Sequence, residues 1–251
     1  MELDHSPTTS EARLKRVFST LVVAIAILAG LYISDSQLKH PIEAPATVTG
    51  KQVSSTNDDQ ASTYKTALEG LNALPVKGRA PKTGYTRSQY GNGWEKHGTC
   101  DTRNLILARD LTEVVYEPSS CLVASGILQD PYTGKTIRFS RGAGTSSAVQ
   151  IDHVVALSDS WQKGAQLLTS ALRQQLANDS LELLAVDGPA NQKKGDGDAA
   201  TWLPPNKAFR CAYVARQVSV KLKYSLWVTA AEKDAISKIL KSCPDQSLTS
   251  T

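Results

Sequence analysis

Val149-Gln150-Ile151-Asp152-His153-Val154-Val155, then Leu181-Glu182-Leu183-Leu184-Ala185-Val186, then at once Asp187-Gly188-Pro189-Ala190-Asn191-Gln192-Lys193-Lys194, is the part of the chain whose reading decides the fold. The first two segments are short apolar runs of strand length, rich in Val, Ile and Leu. In the third, Asp187 is a ready N-cap, and Pro189 suits a first helical turn because it lacks an N–H that such a turn leaves unpaired anyway. The order is therefore strand, strand, short helix, with a further helix from Trp161 to Leu176 inserted between the strands. Neighbouring strand side chains point to opposite faces, so the first strand must end at Asp152 and His153 for both to reach one site. A neutral imidazole is a suitable base for activating water, and a carboxylate suits a hard divalent cation. Because Mg²⁺ keeps several waters, Asp152 and one further oxygen, which Asn191 can supply, would suffice to hold it. Taken alone, an Asp-His pair is more often an ordinary surface or hydrogen-bonded core feature. Its combination with a second strand and Asn191 is far rarer.

Outward from this centre the chain reads as mixed. Ala67, Leu68, Leu71 and Leu74 recur at helical spacing up to Pro75, and 78–99 is loop-like. Leu105 to Val115 reads as a helix and Cys121 to Leu128 as an apolar strand. The turn Asp130-Pro131-Tyr132-Thr133-Gly134 closes that strand, and an alternating strand comes next over 136–140. Helices are expected over Pro205 to Tyr224 and Thr229 to Lys241, the latter capped by Thr229 with Glu232 three positions on.

Arg13, Lys15 and Arg16 precede an uncharged apolar run over residues 17–33. That length borders on both a membrane-spanning helix and a signal peptide, and either would export the chain beyond residue 33. By the positive-inside rule 1–16 stays cytoplasmic, 17–33 is a transmembrane anchor or signal sequence, and 34–63 is an extended polar linker. The folded domain is 64–246, with a disordered tail over 247–251. The expected location is the cell membrane with the domain outside, or secretion if the segment is cleaved. All 4 cysteines lie after the apolar run, which suits an oxidising compartment. Three pairings are open; Cys100–Cys121 with Cys211–Cys243 is favoured because each closes a local loop. No Cys-x-x-Cys or Cys/His spacing supports zinc.

The net charge of +4 is weak support for a polyanionic partner. Lys193, Lys194, Lys207, Arg210, Arg216, Lys221 and Lys223 would serve a nucleic-acid backbone, although scattered helix-surface lysines explain them nearly as well. Of 4 histidines, His5 and His40 fall in the tail and linker, which leaves His97 and His153 for the domain. His-Glu-x-x-His, Gly-x-Ser-x-Gly and a phosphate-binding Gly-x-x-x-x-Gly-Lys-Ser/Thr loop are all absent. Trp161 and Trp202 read as packing residues rather than base-stacking platforms.

Asp152-His153-Val154-Val155, the second strand, and Asn191-x-x-Lys194-Gly195-Asp196 together resemble the HNH, or His-Me finger, endonuclease family. The likeness is to its exported actinobacterial or GmrSD C-terminal-like branch. Cys100-Asp101-Thr102-Arg103-Asn104, Asp130 to Gly134 and Asp198-Ala199-Ala200-Thr201-Trp202-Leu203-Pro204-Pro205 extend that likeness over about residues 64–245. The resemblance implies an α+β fold with a ββα-metal core embedded in a mostly helical domain. It implies His153 as general base, Asp152 and Asn191 as metal ligands, Asn178 as a residue bracing the loop, and Lys194 as a phosphate contact. Arg103 and Asp101 would orient substrate or water, with a structural salt bridge equally open. Many family members carry histidine where this chain has Asn191, which favours Mg²⁺ or Mn²⁺ over zinc. The expected activity is hydrolysis of DNA, with RNA as a second substrate, by a monomer of low sequence specificity, since no reader module is visible. The alternatives are a non-catalytic, disulfide-stapled surface domain that binds nucleic acid or cell-wall polymer, and a hydrolase of another phosphate ester.

Overall fold

The computed structural model describes residues 64–250. The expected tail, apolar segment and linker, with His5 and His40, lie outside the described residues. Among the described residues no helix is long and apolar enough to cross a membrane.

Thr66 opens helix α1 (Ala67–Ala73): its hydroxyl accepts from Glu69 N while the Glu69 carboxylate accepts from Thr66 N. The expected loop before Thr99 also holds a strand, β1 (Lys96–His97), which pairs with β2 (Cys100–Asp101). Asp101 then caps α2 (Thr102–Asp110) by accepting from Asn104 N. The sequence predicts helix as far as Val115, but the chain leaves it at Asp110 for β3 (Leu111–Tyr116), antiparallel to β4 (Val123–Gln129). Thr112, Val114, Val115 and Tyr116 are β-branched or aromatic, and a paired neighbour makes strand the better state for them. β5 (Thr136–Ser140) completes a three-stranded sheet in the order β3-β4-β5.

β6 (Val149–His153) is followed by α3 (Leu157–Gln162), a turn of 3-10 helix over Ala165–Leu167, and α4 (Ser170–Asn178). The single helix expected from Trp161 to Leu176 is thus broken in two. Gly164 takes a φ of 122°, which suits only glycine, and Thr169 restarts the helix by accepting from Leu172 N. β7 (Leu183–Asp187) returns antiparallel to β6, with Ile151 opposite Ala185 and His153 opposite Leu183. It runs straight into α5 (Gly188–Lys194), where the Asp187 carboxylate accepts from Ala190 N at 2.9 Å and Pro189 sits in the first turn. The long α6 (Arg210–Lys223) and α7 (Ala230–Leu240) close the domain, α7 behind the Thr229/Glu232 capping box.

The β6–β7 pair is buried on both faces, which is why it reads as continuous apolar runs rather than as alternation. Leu184 and Val186 enter a core shared with α1, α6 and α7 through Leu71, Tyr213, Val214, Val218 and Ile236. Leu183 and Ala185 enter another with Leu107, Leu128, Phe139 and Ile151. A third cluster joins Tyr90, Leu157, Trp161, Leu176 and Leu226. The fold is α+β, as expected. The disulfides are Cys100–Cys121 and Cys211–Cys243. Leu248 packs on the first core and Thr249 N donates to Ser219 Oγ at 2.9 Å, so the described part of the expected disordered tail is docked.

A buried ionic cluster ties the helices together. Lys163 Nζ lies 2.8 Å from Asp159, 2.7 Å from Asp198 and 2.7 Å from Glu232. Lys221 lies 3.0 Å from Glu232, and Arg79 reaches Asp159 and Asp198, each at 2.7 Å.

Candidate active site

The paired register of β6 and β7 ends at His153, opposite Leu183. Val154 N still donates to the Glu182 carbonyl, but Val155 N turns to the Glu182 carboxyl at 3.1 Å, and the chain leaves the sheet for α3. Asp152 and His153 therefore stand at the strand's end and border one cleft of about 410 Å³. Its walls bring Asp152, His153, Asn191 and Arg103 together with Arg87, Trp94 and Tyr85.

His153 is only 7% exposed. Burial first, and then the charge of Arg87, push its imidazole down to about 3, so the ring is neutral at neutral pH. Nε2 lies 3.0 Å from the Ala177 carbonyl, which can only accept, so Nε2 carries the proton and Nδ1 the lone pair. Trp94 stacks on the ring, centroids 5.7 Å apart and planes 8° off parallel.

Asp152 is equally enclosed. Burial raises its carboxyl, while Lys194 and the Tyr132 hydroxyl pull against that rise. Lys194 Nζ sits 2.9 Å from Oδ1, and the Tyr132 hydroxyl donates to Oδ2. The same ammonium donates to the His153 carbonyl at 2.7 Å. Lys194 thus sits beneath the cleft as the internal counter-charge of Asp152, rather than at its wall where a phosphate would meet it. At the end of α5 Gln192 and Lys193 are exposed, while Lys194 is buried against Asp152 and the His153 carbonyl of β6.

Asn191 is half-buried on the same helix. Its Nδ2 donates to Gln150 Oε1 at 2.9 Å, and among the described residues no hydrogen bond engages its Oδ1. Arg103 reaches the cleft from α2, its guanidinium held by the Val149 carbonyl at 3.1 Å. Asp101 serves as the helix cap and does not line the cleft. Asn178 does not line it either: its Oδ1 accepts from Glu95 N at 2.8 Å and its Nδ2 donates to the Gln174 carbonyl. With Ala177 holding His153 and Asn178 holding the residue after Trp94, the end of α4 fixes both members of the stacked pair.

His97 is exposed, close to Thr102 Oγ1, and outside the cleft. The basic set does not form one surface: Lys221 and Lys194 are buried, and Arg216 donates to the Leu181 carbonyl. Sequence reasoning missed Tyr132, Trp94 and Arg87. Tyr132 lies in a motif that reads locally as no more than a turn, Trp94 sits in a glycine-rich loop, and nothing in the local sequence marks Arg87.

Among the described residues no group of three or more His, Cys, Asp or Glu side chains converges as a metal cage. A carboxylate and an amide oxygen on one cleft instead fit a hard ion that keeps most of its water, and do not fit a closed zinc site.

Residues 101–239, more than half of the chain, match the family model described as "GmrSD restriction endonucleases, C-terminal domain". A protein of Arthroderma benhamiae described as "Uncharacterized secreted protein" is 39% identical over 189 residues, covering 74% of this chain and 88% of that one. No solved structure matches the chain. Apart from Tyr85, Arg87 and Trp94, every residue lining the cleft falls within the matched stretch, and the chain belongs to the family of GmrSD restriction endonuclease C-terminal domains.

Proposed function

We propose that the protein is a metal-dependent HNH-type endonuclease of low sequence specificity acting outside the cytoplasm, with β6, β7 and α5 as a ββα-metal core. One observation carries this reading: a neutral imidazole of defined tautomer, a carboxylate, an amide oxygen and a guanidinium border a single polar cleft at the end of a strand pair. In it His153 is the base, through Nδ1. A phosphodiester in the cleft offsets the charge of Arg87 and so makes the ring more basic when substrate is bound. Arg103 and Arg87 hold phosphate oxygens, and Asp152 and Asn191 hold Mg²⁺ or Mn²⁺. Lys194 and Tyr132 orient the Asp152 carboxyl and oppose the upward push of burial on it, and Asn178 keeps the Trp94 loop in place. When bound, the ion would neutralise charge on the scissile phosphate and leaving oxygen.

Export is supported by the basic-flanked apolar run, by two disulfides, and by the description of the Arthroderma relative as secreted. DNA is the first substrate to test and RNA the second. The test is cleavage of plasmid DNA by the purified, oxidised protein with Mg²⁺, with and without EDTA, beside His153→Ala. Cleavage lost in both controls supports the reading. A folded protein that cuts neither DNA nor RNA with Mg²⁺ or Mn²⁺ would remove it.

A further inference from the structure

The cleft continues past His153. A second lobe of about 340 Å³ shares Arg87, Trp94, His153 and Leu157 with the first, yet its lining has a different character. The first lobe holds Asp152, Asp196, Asn191, Gln150 and Arg103. The second holds no carboxylate: Tyr90, Leu157, Ala177 and Trp94 give it apolar and aromatic walls, and Gly91, Asn92 and Gly93 complete its lining. Gly91 and Gly93 adopt φ of 97° and 108°, which favour glycine; Gly91 packs against Gln174, where a Cβ would come within 3.2 Å of the side chain, while a Cβ at Gly93 would meet nothing within 4 Å, so the backbone at Gly93 faces free space.

A nucleotide has the same division, with a charged phosphodiester at one end and a flat, largely apolar base at the other. We propose that the second lobe is a nucleobase subsite, which takes one unpaired base flanking the phosphate held beside His153, so that single-stranded or locally unpaired nucleic acid is the preferred substrate. This rests on the nuclease reading and adds the substrate class to it. Continuity is the main support, because exposed Arg87 borders both lobes, where the phosphate and its own base would meet. The apolar walls supply contact with the base, which every base can use, so the subsite adds affinity without choosing a sequence. The exposed Asn92 amide offers both a donor and an acceptor to the base edge. A base inside a duplex is covered by its stacked neighbours and its partner, and reaches such a lobe only after unstacking, which a single strand permits at low cost.

Ser88 tests the assignment, because it lines the second lobe and not the first, is exposed, and among the described residues its hydroxyl meets only that of Thr86, at 2.8 Å. Ser88→Phe should fill the lobe. Two readouts are compared: calorimetric binding of thymidine 5′-monophosphate against 2-deoxyribose 5-phosphate, and cleavage of single- against double-stranded DNA of one sequence. The wild-type protein should bind the nucleotide about tenfold more tightly than the sugar phosphate. It should also cut the single strand about tenfold faster, and Ser88→Phe should abolish both preferences while leaving sugar phosphate binding unchanged. Equal affinities of the wild type for the two ligands overturn the subsite, whatever the variant does. Equal cleavage of both DNA forms, undisturbed by Ser88→Phe, overturns it while the nuclease reading stands. A tenfold ligand preference with no cleavage of any DNA or RNA keeps the subsite and removes the nuclease reading.

Discussion

Lys163→Met removes the central cation of the buried cluster while keeping most of its apolar stem. In the native protein Lys163 has no exposed side-chain surface and meets Asp159, Asp198 and Glu232 within 2.8 Å. After substitution those three carboxylates face only Lys221 and Arg79, and Lys221 stands 3.8 Å from Asp159. Removing one partner of a buried ion pair leaves an uncompensated charge in a poorly solvating interior, which costs about 3–5 kcal/mol. At about 2–4 °C per kcal/mol for a domain of this size, the melting temperature should fall by about 6–20 °C. A pH arm makes the test specific. Burial pushes the Asp198 carboxyl up, but the hydrogen bond and charge of Lys163 and the charge of Arg79 outweigh it and hold the group below its ordinary value. A carboxyl depressed in the folded state contributes stability above its unfolded pKa of about 3.9, and that contribution disappears as pH falls through the lower folded value. The variant lacks the strongest of the downward influences, so its acid-side loss should be shallower and its gap to wild type should narrow below about pH 4. Thermal and guanidinium melts by circular dichroism at pH 7 and down to pH 3 measure both. A loss under about 1 kcal/mol at pH 7, or a gap that stays constant into acid, refutes the reasoning.

Asn191→Ala removes one half-buried hydrogen bond to Gln150, so stability should change by no more than about 1 kcal/mol; cleavage should fall about 100-fold and Mg²⁺ binding, read by calorimetry, should weaken. Unchanged cleavage would remove Asn191 from the site. Replacing Cys211 and Cys243 by Ser together opens a loop with a sequence separation of 32, which by the chain-entropy relation costs about 3–4 kcal/mol in a denaturant melt. Arg87→Ala should leave the melting temperature in place because Arg87 is exposed, and should raise the His153 imidazole from about 3, read from its NMR titration, although burial keeps it below 6.5. The same variant should weaken DNA binding evenly across sequences and lower its salt slope by about one.

The parts of this protein legible in its sequence are those held by near neighbours. Asp187 and Pro189 announce α5, Thr229 and Glu232 announce α7, and the double burial of β6 and β7 shows as unbroken apolar runs. The local spacing of the cysteines points to the pairing that forms. Asp152, His153 and Asn191 could be named because their order around two strands and a helix is itself a sequence pattern, and Arg103 because it lies in the Cys100–Asn104 stretch that extends the family likeness; the fold brings all four to one cleft. Other features depend on partners far along the chain. Whether Leu111–Tyr116 is helix or strand was decided by β4, and the break at Gly164 by packing against Leu226 and Trp227. Tyr132 reaches Asp152 across 20 positions, Lys194 across 42, and Trp94 meets His153 across a wider gap still. A cap or an apolar period is set within a few residues and leaves a local signature. A side chain turned inward to neutralise a buried carboxylate, or stacked on an imidazole, looks the same in sequence as one facing water, and only the packed fold distinguishes them.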